Sequence, residues 1–256
     1  MRVAVLGAGY AGLTLARKLE AGLPSDVDLV VVDEAADHLL LHELHRAIRR
    51  PDVLDAITVP LADVLDRATV RTARVESIDA DARRVELSDS GGSFDFDYDY
   101  AAVCLGSETA FYDIPGLEER GTPLKRVAHA ERIRREFLDV CETGGRAVVG
   151  GAGLSGVQVA GELHALAVEE GVRDRVEVVL VEQLSEITSN FPENFREAVR
   201  EELEVRNVEI RTGAAVTEAT DDDLELNDGD ERLPYDQLVW TGGIRGSAAT
   251  DGERLD

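Results

Sequence analysis

The sequence predicts an α/β fold with two Rossmann-like dinucleotide-binding domains and small antiparallel β segments. Two glycine-rich turns indicate this fold: the first turn, Gly7–Gly12, and the second turn, Gly151–Gly156. Each turn follows a short apolar strand, opens a helix, and precedes a strand that an acidic residue closes, Asp33 or Glu182. Glycine is common in loops, so one such turn is a weak signal. Two turns in this context indicate two dinucleotide sites and electron transfer between two cofactors.

The first turn comes after Arg2–Leu6, an apolar and β-branched run that predicts a buried parallel strand. Gly7 permits the tight turn, and Gly9 lets the backbone approach a pyrophosphate. Gly12 lets the helix pack closely on the strand. Each of the three positions therefore requires glycine for a different physical reason.

The helix after the first turn is expected to start near Tyr10, with Ala11 in its first turn. Its N-terminal N–H groups and its positive dipole end would face the phosphates. A second apolar strand, Val27–Val32, ends at Asp33. This spacing suits a carboxylate that accepts hydrogen bonds from an adenosine ribose.

The second turn repeats this order. Arg146–Val149 predicts its strand, Ser155–Glu170 predicts its helix, and Gly171 predicts a C-terminal cap. Val176–Val181 predicts the next strand, which Glu182 closes. Glu182 favours NADH over NADPH, because a carboxylate close to a 2′-phosphate costs about 1–4 kcal/mol. No arginine or lysine follows Glu182 closely to offset that repulsion.

Periodicity and turn residues predict further elements around the two turns. Helices are expected at His38–Arg50 and Glu131–Val140, a crossover at Ile114–Gly116, and strands at Val70–Ile78, Arg84–Leu87, Phe94–Tyr98, Ala101–Ser107, Asn207–Arg211, Ala215–Glu218, Asp222–Leu226 and Gln237–Gly243. The strand that ends at Gly106 is expected to be buried, and the segment that ends at Gly243 has the same strand–glycine ending.

The composition is strongly acidic, with 52 aspartate and glutamate residues against 27 lysine and arginine residues and a net charge of −25. Lys18 and Lys125 are the only lysines. This composition resembles that of proteins from salt-loving archaea, in which a hydrated acidic surface keeps the chain soluble and salt screens its self-repulsion. An acidic interaction surface is the alternative interpretation. Nucleic acid is not expected as a partner of such a surface.

The two cysteines, Cys104 and Cys141, lie far apart and form no C-x-x-C pair. We interpret them as reduced thiols of a cytoplasmic chain rather than as a redox-active disulfide. Arg2 leads directly into the first strand, so no signal peptide is expected. No apolar stretch of the sequence reaches the length of a membrane span.

Three histidines, His38, His42 and His45, fall at helical spacings with Glu43 between them. This spacing is one residue short of the metalloprotease pattern, and zinc ligands must converge tetrahedrally. Histidines on the solvent side of an apolar stripe are the simpler interpretation. The sequence therefore predicts no metal site.

The order of these motifs resembles the FAD-dependent pyridine nucleotide–disulfide oxidoreductase superfamily. The segments that carry the resemblance are the two glycine turns, Cys104–Glu108, Ile114–Gly116, Gly156–Leu163 and Leu238–Gly243. Within the superfamily, the chain is most similar to type II NADH dehydrogenases, which are NADH:quinone oxidoreductases without a catalytic disulfide. The resemblance implies FAD on the first turn, NADH on the second, and a second domain inserted into the first.

The resemblance also implies a set of cofactor-binding residues. They are Gly7, Gly9, Tyr10, Ala11, Gly12, Asp33, Glu34, His38, Val75, Leu105, Gly106, Gly151, Gly153, Leu154, Ser155, Gly156, Gln158, Glu182, Gly242 and Gly243. The segment Asp37–Leu40 resembles a stretch that lies along the flavin in the family. Gln158 stands where many relatives carry glutamate; its amide can hydrogen-bond a nicotinamide carboxamide but cannot take up a proton.

The resemblance implies a FAD-binding domain over residues 1–115, an NADH-binding domain over 116–245, and the start of a return segment over 246–256. Relatives continue with a Gly-Asp turn that contacts FAD and with amphipathic helices, whereas Asp251-Gly252 has the reverse order. We therefore expect the FAD domain to be incomplete, most simply because the chain is a fragment, and to bind FAD weakly.

The activity that the resemblance implies is transfer of hydride from NADH to the flavin and of electrons onward, most simply to a quinone. The protein would supply geometry and electrostatics, so no catalytic side chain is assigned. A ferredoxin reductase, a sulfide-oxidising enzyme and a non-enzymatic dinucleotide sensor remain as alternatives, although the missing cysteine pair argues against sulfide. A homodimer, and a peripheral location on the inner face of the cell membrane through a segment beyond this chain, are also expected.

Overall fold

The structure, a computed structural model, describes residues 1–229 and 231–251. The described chain separates into two compact units. The first unit contains Met1–Leu40, Asp55–Glu108 and the described residues from Arg245 onward, and the second contains Leu41–Leu54 and Thr109–Ile244. Residues 252–256 of the expected return segment lie outside the described residues.

The strands are, in chain order, β1 (Arg2–Leu6), β2 (Asp28–Asp33), β3 (Asp37–Leu39), β4 (Thr58–Pro60), β5 (Thr69–Thr72), β6 (Arg74–Asp79), β7 (Arg84–Asp89), β8 (Gly92–Asp97), β9 (Tyr100–Val103), β10 (Ser107–Thr109), β11 (Gly145–Gly150), β12 (Val176–Glu182), β13 (Glu209–Thr212), β14 (Val216–Ala219), β15 (Asp223–Leu226), β16 (Glu231–Pro234), β17 (Gln237–Trp240) and β18 (Ile244–Gly246). The α-helices are α1 (Tyr10–Gly22), α2 (Arg46–Arg49), α3 (Leu54–Ile57), α4 (Leu61–Val64), α5 (Leu117–Arg120), α6 (Val127–Thr143), α7 (Leu154–Glu169) and α8 (Glu193–Val205).

The first unit is built on a parallel sheet with the strand order β5-β2-β1-β9. Successive residues of the central strand β1 point to opposite faces, and both faces are buried. Ala4 and Leu6 pack with the antiparallel sheet β6-β7-β8, whereas Val3 and Val5 pack with residues of α1 such as Ala16. A strand buried on both faces explains the continuous apolar run in the sequence.

The second unit repeats this plan. Its parallel sheet has the order β13-β12-β11-β17, and one face packs on the antiparallel sheet β14-β15-β16. The helix α7 ends where predicted: Gly171 takes a positive φ of 70°, and the Val172 N–H donates to the Ala167 carbonyl at 3.0 Å. Two parallel sheets with antiparallel additions confirm the predicted α/β fold.

The predicted helix at His38–Arg50 is wrong over its first half. His38 lies in the short strand β3, paired with Val59 of β4, and only Arg46–Arg49 forms an α-helix. The burial of His38 overrides the helical spacing of the apolar residues that follow it. The helix ends before Pro51, which disfavours helical geometry in the preceding residue.

Two predicted strands also differ from the structure. The run Val70–Ile78 is two strands rather than one, because the chain leaves the parallel sheet at Ala73, whose N–H donates to the Asp33 carbonyl at 2.8 Å. The strand expected at Ala101–Ser107 ends at Val103 and is half-buried. It is half-buried because β9 is the last strand at one edge of its sheet.

The segment Leu41–Leu54 groups with the second unit through α2, which packs on α6 and α7. Ion pairs reinforce this packing: Arg49 Nε lies 2.6 Å from Glu162 Oε2, and Arg50 Nη1 lies 2.5 Å from Glu169 Oε2. The hydrogen bond from Arg50, with that from Arg49, lowers the pKa of Glu169 to about 2.

This lowered pKa predicts how the stability of the second unit depends on pH. A carboxylate with a depressed pKa in the folded state adds stability above its unfolded pKa of about 4.3, and that stability is lost as the pH falls toward about 2. We expect the melting temperature of the wild type to exceed that of Glu169→Gln at neutral pH, and the gap to close by about pH 2. Thermal unfolding of both proteins across this range tests the prediction; a gap that persists at the acidic end contradicts it.

Across residues 1–229 and 231–251, no helix has the length and apolar character that crossing a membrane requires.

Candidate dinucleotide-binding sites

The first turn has the backbone geometry that its glycines predict. Gly7 has a φ of 98°, and a Cβ atom there would lie 2.3 Å from the Cys104 carbonyl oxygen. A Cβ on Gly12 would lie 1.8 Å from the Gly7 carbonyl oxygen, so only glycine lets α1 pack this closely. At Gly7 and Gly12, backbone atoms of the protein therefore occupy the space that a side chain would need.

The middle glycine of the first turn is open. Within the described part of the chain, no heavy atom lies within 4 Å of a Cβ built on Gly9. Gly9 is exposed and precedes α1 at its N-terminus. An α-helix leaves its first N–H groups without carbonyl partners of its own, so an open position here suits a phosphate.

The second turn has the same arrangement, with its first and third glycines closed and its middle glycine open. Gly151 has a φ of 90°, and its Cβ would lie 2.5 Å from the Gly242 Cα, while a Cβ on Gly156 would lie 1.8 Å from the Gly151 carbonyl oxygen. The middle position, Gly153, is open: no described heavy atom comes within 4 Å of its Cβ. Leu154 and Ser155 are exposed at the start of α7.

Each turn is held by the acidic residue that closes the next strand. The Ala8 N–H donates to Asp33 Oδ2 at 2.6 Å, and the Ala35 N–H donates to Asp33 Oδ1 at 2.9 Å. In the second unit, the Ala152 N–H donates to Glu182 Oε2 at 2.7 Å and the Leu184 N–H donates to Oε1 at 2.9 Å.

Asp33 and Glu182 are both half-buried. Each of their carboxylate oxygens can accept more than one hydrogen bond, so capacity remains for the hydroxyls of a ribose. The two carboxylates can therefore hold the turn and a ribose at the same time.

The strand–glycine endings differ between the units. Gly106 has a φ of 74° and no described atom near its Cβ position. Gly242 and Gly243 instead pack on aromatic rings: their Cβ atoms would lie 2.5 Å from Trp240 Cζ2 and 2.0 Å from the Tyr112 hydroxyl. Trp240 is fixed by a 2.9 Å hydrogen bond from its Nε1 to the Ala110 carbonyl. Gly106 therefore leaves room for a ligand, whereas Gly242 and Gly243 make room for side chains.

The remaining predicted residues fall into buried and exposed groups. Val75 is buried in the core opposite Leu87, and Leu105 packs on the same apolar cluster. Ala11 and Glu34 are exposed near the first turn. The other predicted residues are Tyr10, exposed and in edge-to-face contact with His38; His38, buried; and Gln158, half-buried on α7 one turn after Leu154. The side chain of Val75 is thus a core residue.

Sequence reasoning missed the backbone N–H groups of Ala8 and Ala152, which lie between the glycines and donate the hydrogen bonds described above. It also missed Thr188, whose backbone N–H donates to the Ala152 carbonyl at 2.8 Å with a φ of 45°, a rare value for a β-branched residue. No pattern in the sequence marks these positions, because the contacts form only in three dimensions.

The two cysteines form no disulfide. Burial raises the pKa of the Cys104 thiol, and burial together with Glu170 raises that of Cys141 to about 11. Both thiols are therefore protonated and weakly nucleophilic at neutral pH. Three or more potential metal ligands do not converge anywhere in the described residues.

The profile of the pyridine nucleotide-disulphide oxidoreductase family matches residues 1–255. The chain belongs to this family. The resemblance that the motifs carried is thereby confirmed, and Cys104 and Cys141 are not joined in a disulfide.

Two relatives show which members of the family this chain is similar to. The type II NADH:quinone oxidoreductase of Staphylococcus saprophyticus is 28% identical over 266 residues, which cover 96% of this chain and 65% of that protein. The demethylphylloquinone reductase of Synechocystis is 27% identical, over 94% of this chain and 61% of that protein. The chain therefore spans less than two thirds of the length of these relatives.

A solved structure supports the fold independently. NDH2 from Plasmodium falciparum, in complex with NADH, matches with a TM-score of 0.87 at 16% identity and covers 96% of this chain and 56% of that one. At this identity the likeness establishes the fold alone.

Proposed function

We propose that this chain is the dinucleotide-binding part of a flavin-dependent NADH:quinone oxidoreductase, with FAD on the first turn and NADH on the second. One observation carries the proposal: both turns combine an open middle glycine with a carboxylate that holds the turn and keeps acceptor capacity. A single turn of this kind would suit any dinucleotide enzyme. Two of them suit an enzyme that brings a reductant and a second dinucleotide together.

The first turn fits the adenosine diphosphate half of FAD. The open position at Gly9 leaves space for the pyrophosphate, and Asp33 can accept hydrogen bonds from the adenosine ribose. Gly106, also open, ends the neighbouring strand segment of the same unit. The family resemblance assigns FAD rather than NADH to this unit.

The second turn fits NADH. Gly153 leaves space for the pyrophosphate, and Glu182 stands where an adenosine ribose would bind. We expect NADH to bind at least about fivefold more tightly than NADPH, since a 2′-phosphate beside this carboxylate costs about 1–4 kcal/mol.

The variant Glu182→Gln tests the basis of this preference. It removes the charge, so we expect the preference for NADH over NADPH to shrink about tenfold, mainly through weaker NADH binding and less repulsion of NADPH. Glu177→Gln, at the exposed start of the same strand, changes the net charge equally and serves as the control. Dissociation constants from fluorescence titration measure the effect; equal preferences in both variants contradict it.

Bound FAD would supply the redox chemistry, accepting hydride from NADH and passing its two electrons to a quinone, which takes up protons to become a quinol. The chain supplies binding and orientation. The turns and their carboxylates hold the two adenine halves, and Gln158 is placed on α7 as a hydrogen-bonding group that cannot take up a proton. No nucleophilic side chain is needed.

A quinone is the proposed acceptor because both relatives named above reduce quinones according to their names. The rival reactions are the reduction of ferredoxin and the oxidation of sulfide, in which sulfide is the electron donor. Sulfide oxidation through a disulfide would need a cysteine pair, and the two thiols here are unpaired and protonated. Because a quinone dissolves in the bilayer, we place the enzyme peripherally at the inner face of the cell membrane, with a homodimer as the expected assembly.

Steady-state oxidation of NADH in molar KCl, with FAD in excess, tests the proposal. We expect NADH to be oxidised with menadione as acceptor and not with oxidised ferredoxin, and we expect no reduction of menadione when sulfide replaces NADH as the donor. Oxidation of NADH with ferredoxin alone would replace the quinone as acceptor, and reduction of menadione by sulfide alone would replace NADH as donor. If the chain binds both dinucleotides but transfers electrons to no acceptor, the alternative of a non-enzymatic dinucleotide sensor is favoured instead.

A further inference from the structure

The backbone of Ala8 is held at both its N–H and its carbonyl. Its N–H donates to Asp33 Oδ2 at 2.6 Å, and its carbonyl oxygen lies 2.9 Å from His38 Nδ1. His38 is only 6% exposed. A carbonyl oxygen can only accept, so Nδ1 carries the proton and the imidazole donates through it.

This bond fixes the direction of the next N–H group along the chain. In a trans peptide, the carbonyl and the following N–H point in opposite directions. Because the Ala8 carbonyl points to His38, the Gly9 N–H points away from His38. Gly9 is the glycine of the first turn whose Cβ position has no described atom within 4 Å. The imidazole thus fixes the direction of the Gly9 N–H, at the position where a pyrophosphate fits.

The imidazole itself is held in place. His38 lies in β3, whose backbone pairs with β4 at Val59, and its ring makes an edge-to-face contact with Tyr10 at 5.2 Å and 80°. Backbone pairing and ring contact leave the imidazole little freedom. The donor is therefore preorganised before any ligand binds.

In the second turn, the carbonyl at the corresponding position is held without a side chain. The Ala152 N–H donates to Glu182, and the Ala152 carbonyl accepts from the backbone N–H of Thr188 at 2.8 Å. Both units therefore clamp the residue before the middle glycine at its N–H and at its carbonyl. The bond to the carbonyl comes from a replaceable side chain only in the first unit.

We propose that His38 is a positioning residue for the FAD pyrophosphate, acting through the Ala8 carbonyl on the Gly9 N–H; this rests on the proposal that FAD binds the first turn. His38 touches neither cofactor in this role. Its effect is to preset the phosphate-binding turn.

Two substitutions separate hydrogen bonding from packing. His38→Asn is smaller than histidine, but it keeps an N–H donor two bonds from Cβ, as Nδ1 is. His38→Leu keeps apolar bulk and loses the donor. If His38 acts by filling space, His38→Leu should weaken FAD binding less than His38→Asn does. If it acts through its N–H donor, His38→Asn should weaken FAD binding less.

FAD affinity of the purified chain, from quenching of flavin fluorescence in molar KCl, is the readout. We expect His38→Leu to weaken FAD binding about tenfold and His38→Asn to stay within about threefold of the wild type. NADH affinity, measured on the same samples, is expected to stay constant because the second turn keeps its backbone clamp.

The possible outcomes are distinguishable. If His38→Leu binds FAD as tightly as His38→Asn, or more tightly, the inference fails while the proposed function stands. If NADH affinity falls in parallel with FAD affinity, the change is global and the inference also fails. A wild-type chain that binds no FAD at any concentration overturns the proposed function and the role of His38 together.

Discussion

Gly153→Asp is expected to abolish NADH binding and to leave the protein as stable as the wild type. The Cβ of residue 153 would meet no described atom within 4 Å, and its φ of −69° and ψ of −176° are open to any residue. Aspartate is also a favourable residue before a helix, so the change in stability is a few tenths of a kcal/mol at most. The side chain would instead occupy the space proposed for the pyrophosphate.

The loss of binding is expected to be large. Two like charges 4 Å apart repel by about 4 kcal/mol at an effective dielectric of 20, and strong salt reduces this figure. Adding steric exclusion, we expect NADH affinity to fall at least about a hundredfold. Fluorescence titration with NADH, alongside thermal unfolding, measures both quantities.

Gly9→Asp is the matched control for Gly153→Asp. Its Cβ position is equally open among the described atoms, and it makes the same change at the first turn. We expect Gly9→Asp to remove FAD binding and keep NADH binding, and Gly153→Asp to do the reverse. Loss of both ligands in either variant would be inconsistent with one site in each unit.

Gly156→Ala is expected to damage both the fold and the site. The new Cβ would lie 1.8 Å from the Gly151 carbonyl oxygen and 2.8 Å from Thr241 Oγ1, so α7 must move away from β11. Overpacking of this kind costs about 1–3 kcal/mol. Because α7 carries the N–H groups proposed to bind the pyrophosphate, we also expect NADH affinity to fall at least tenfold, by about 1.4 kcal/mol or more.

Gly161→Ala, in the middle of the same helix, provides the comparison. No described atom lies within 4 Å of its Cβ position, and alanine in a helix is more favourable than glycine by about 0.5–1 kcal/mol. Gly161→Ala should therefore raise the melting temperature and leave NADH binding unchanged. Denaturant unfolding of both variants measures the contrast; equal stabilities would show that the contact at Gly156 is relaxed at no cost.

The features predicted well from the sequence are those that local rules determine. β1 and β12 are continuous apolar runs, and the glycines of both turns fall where backbone geometry excludes other residues. Asp33 and Glu182 follow at the ends of the next strands, as the motif requires. The motif spacing encodes these features within about thirty residues, although the atoms that close Gly7 and Gly151 belong to Cys104 and Gly242, farther along the chain.

The features that were not predicted depend on contacts between distant residues. The helical spacing at His38 is outweighed by its bond to Ala8, thirty positions earlier. The grouping of Leu41–Leu54 with the second unit depends on pairs such as Arg49 with Glu162. Thr188 adopts a positive φ that its β-branched side chain disfavours, and its backbone bond to Ala152 is visible only in the structure. Local propensity cannot report such contacts.

Anaerobic titration of the FAD-loaded chain with NADH is the most direct test of the two-cofactor account. We expect the visible absorbance of the bound flavin to bleach in proportion to the NADH added, and to return when menadione is supplied. Gly153→Asp, which keeps the first turn intact, should bind FAD and show no bleaching at the same NADH concentrations. Bound flavin that NADH leaves oxidised in the wild type, or that bleaches equally in Gly153→Asp, would contradict the account.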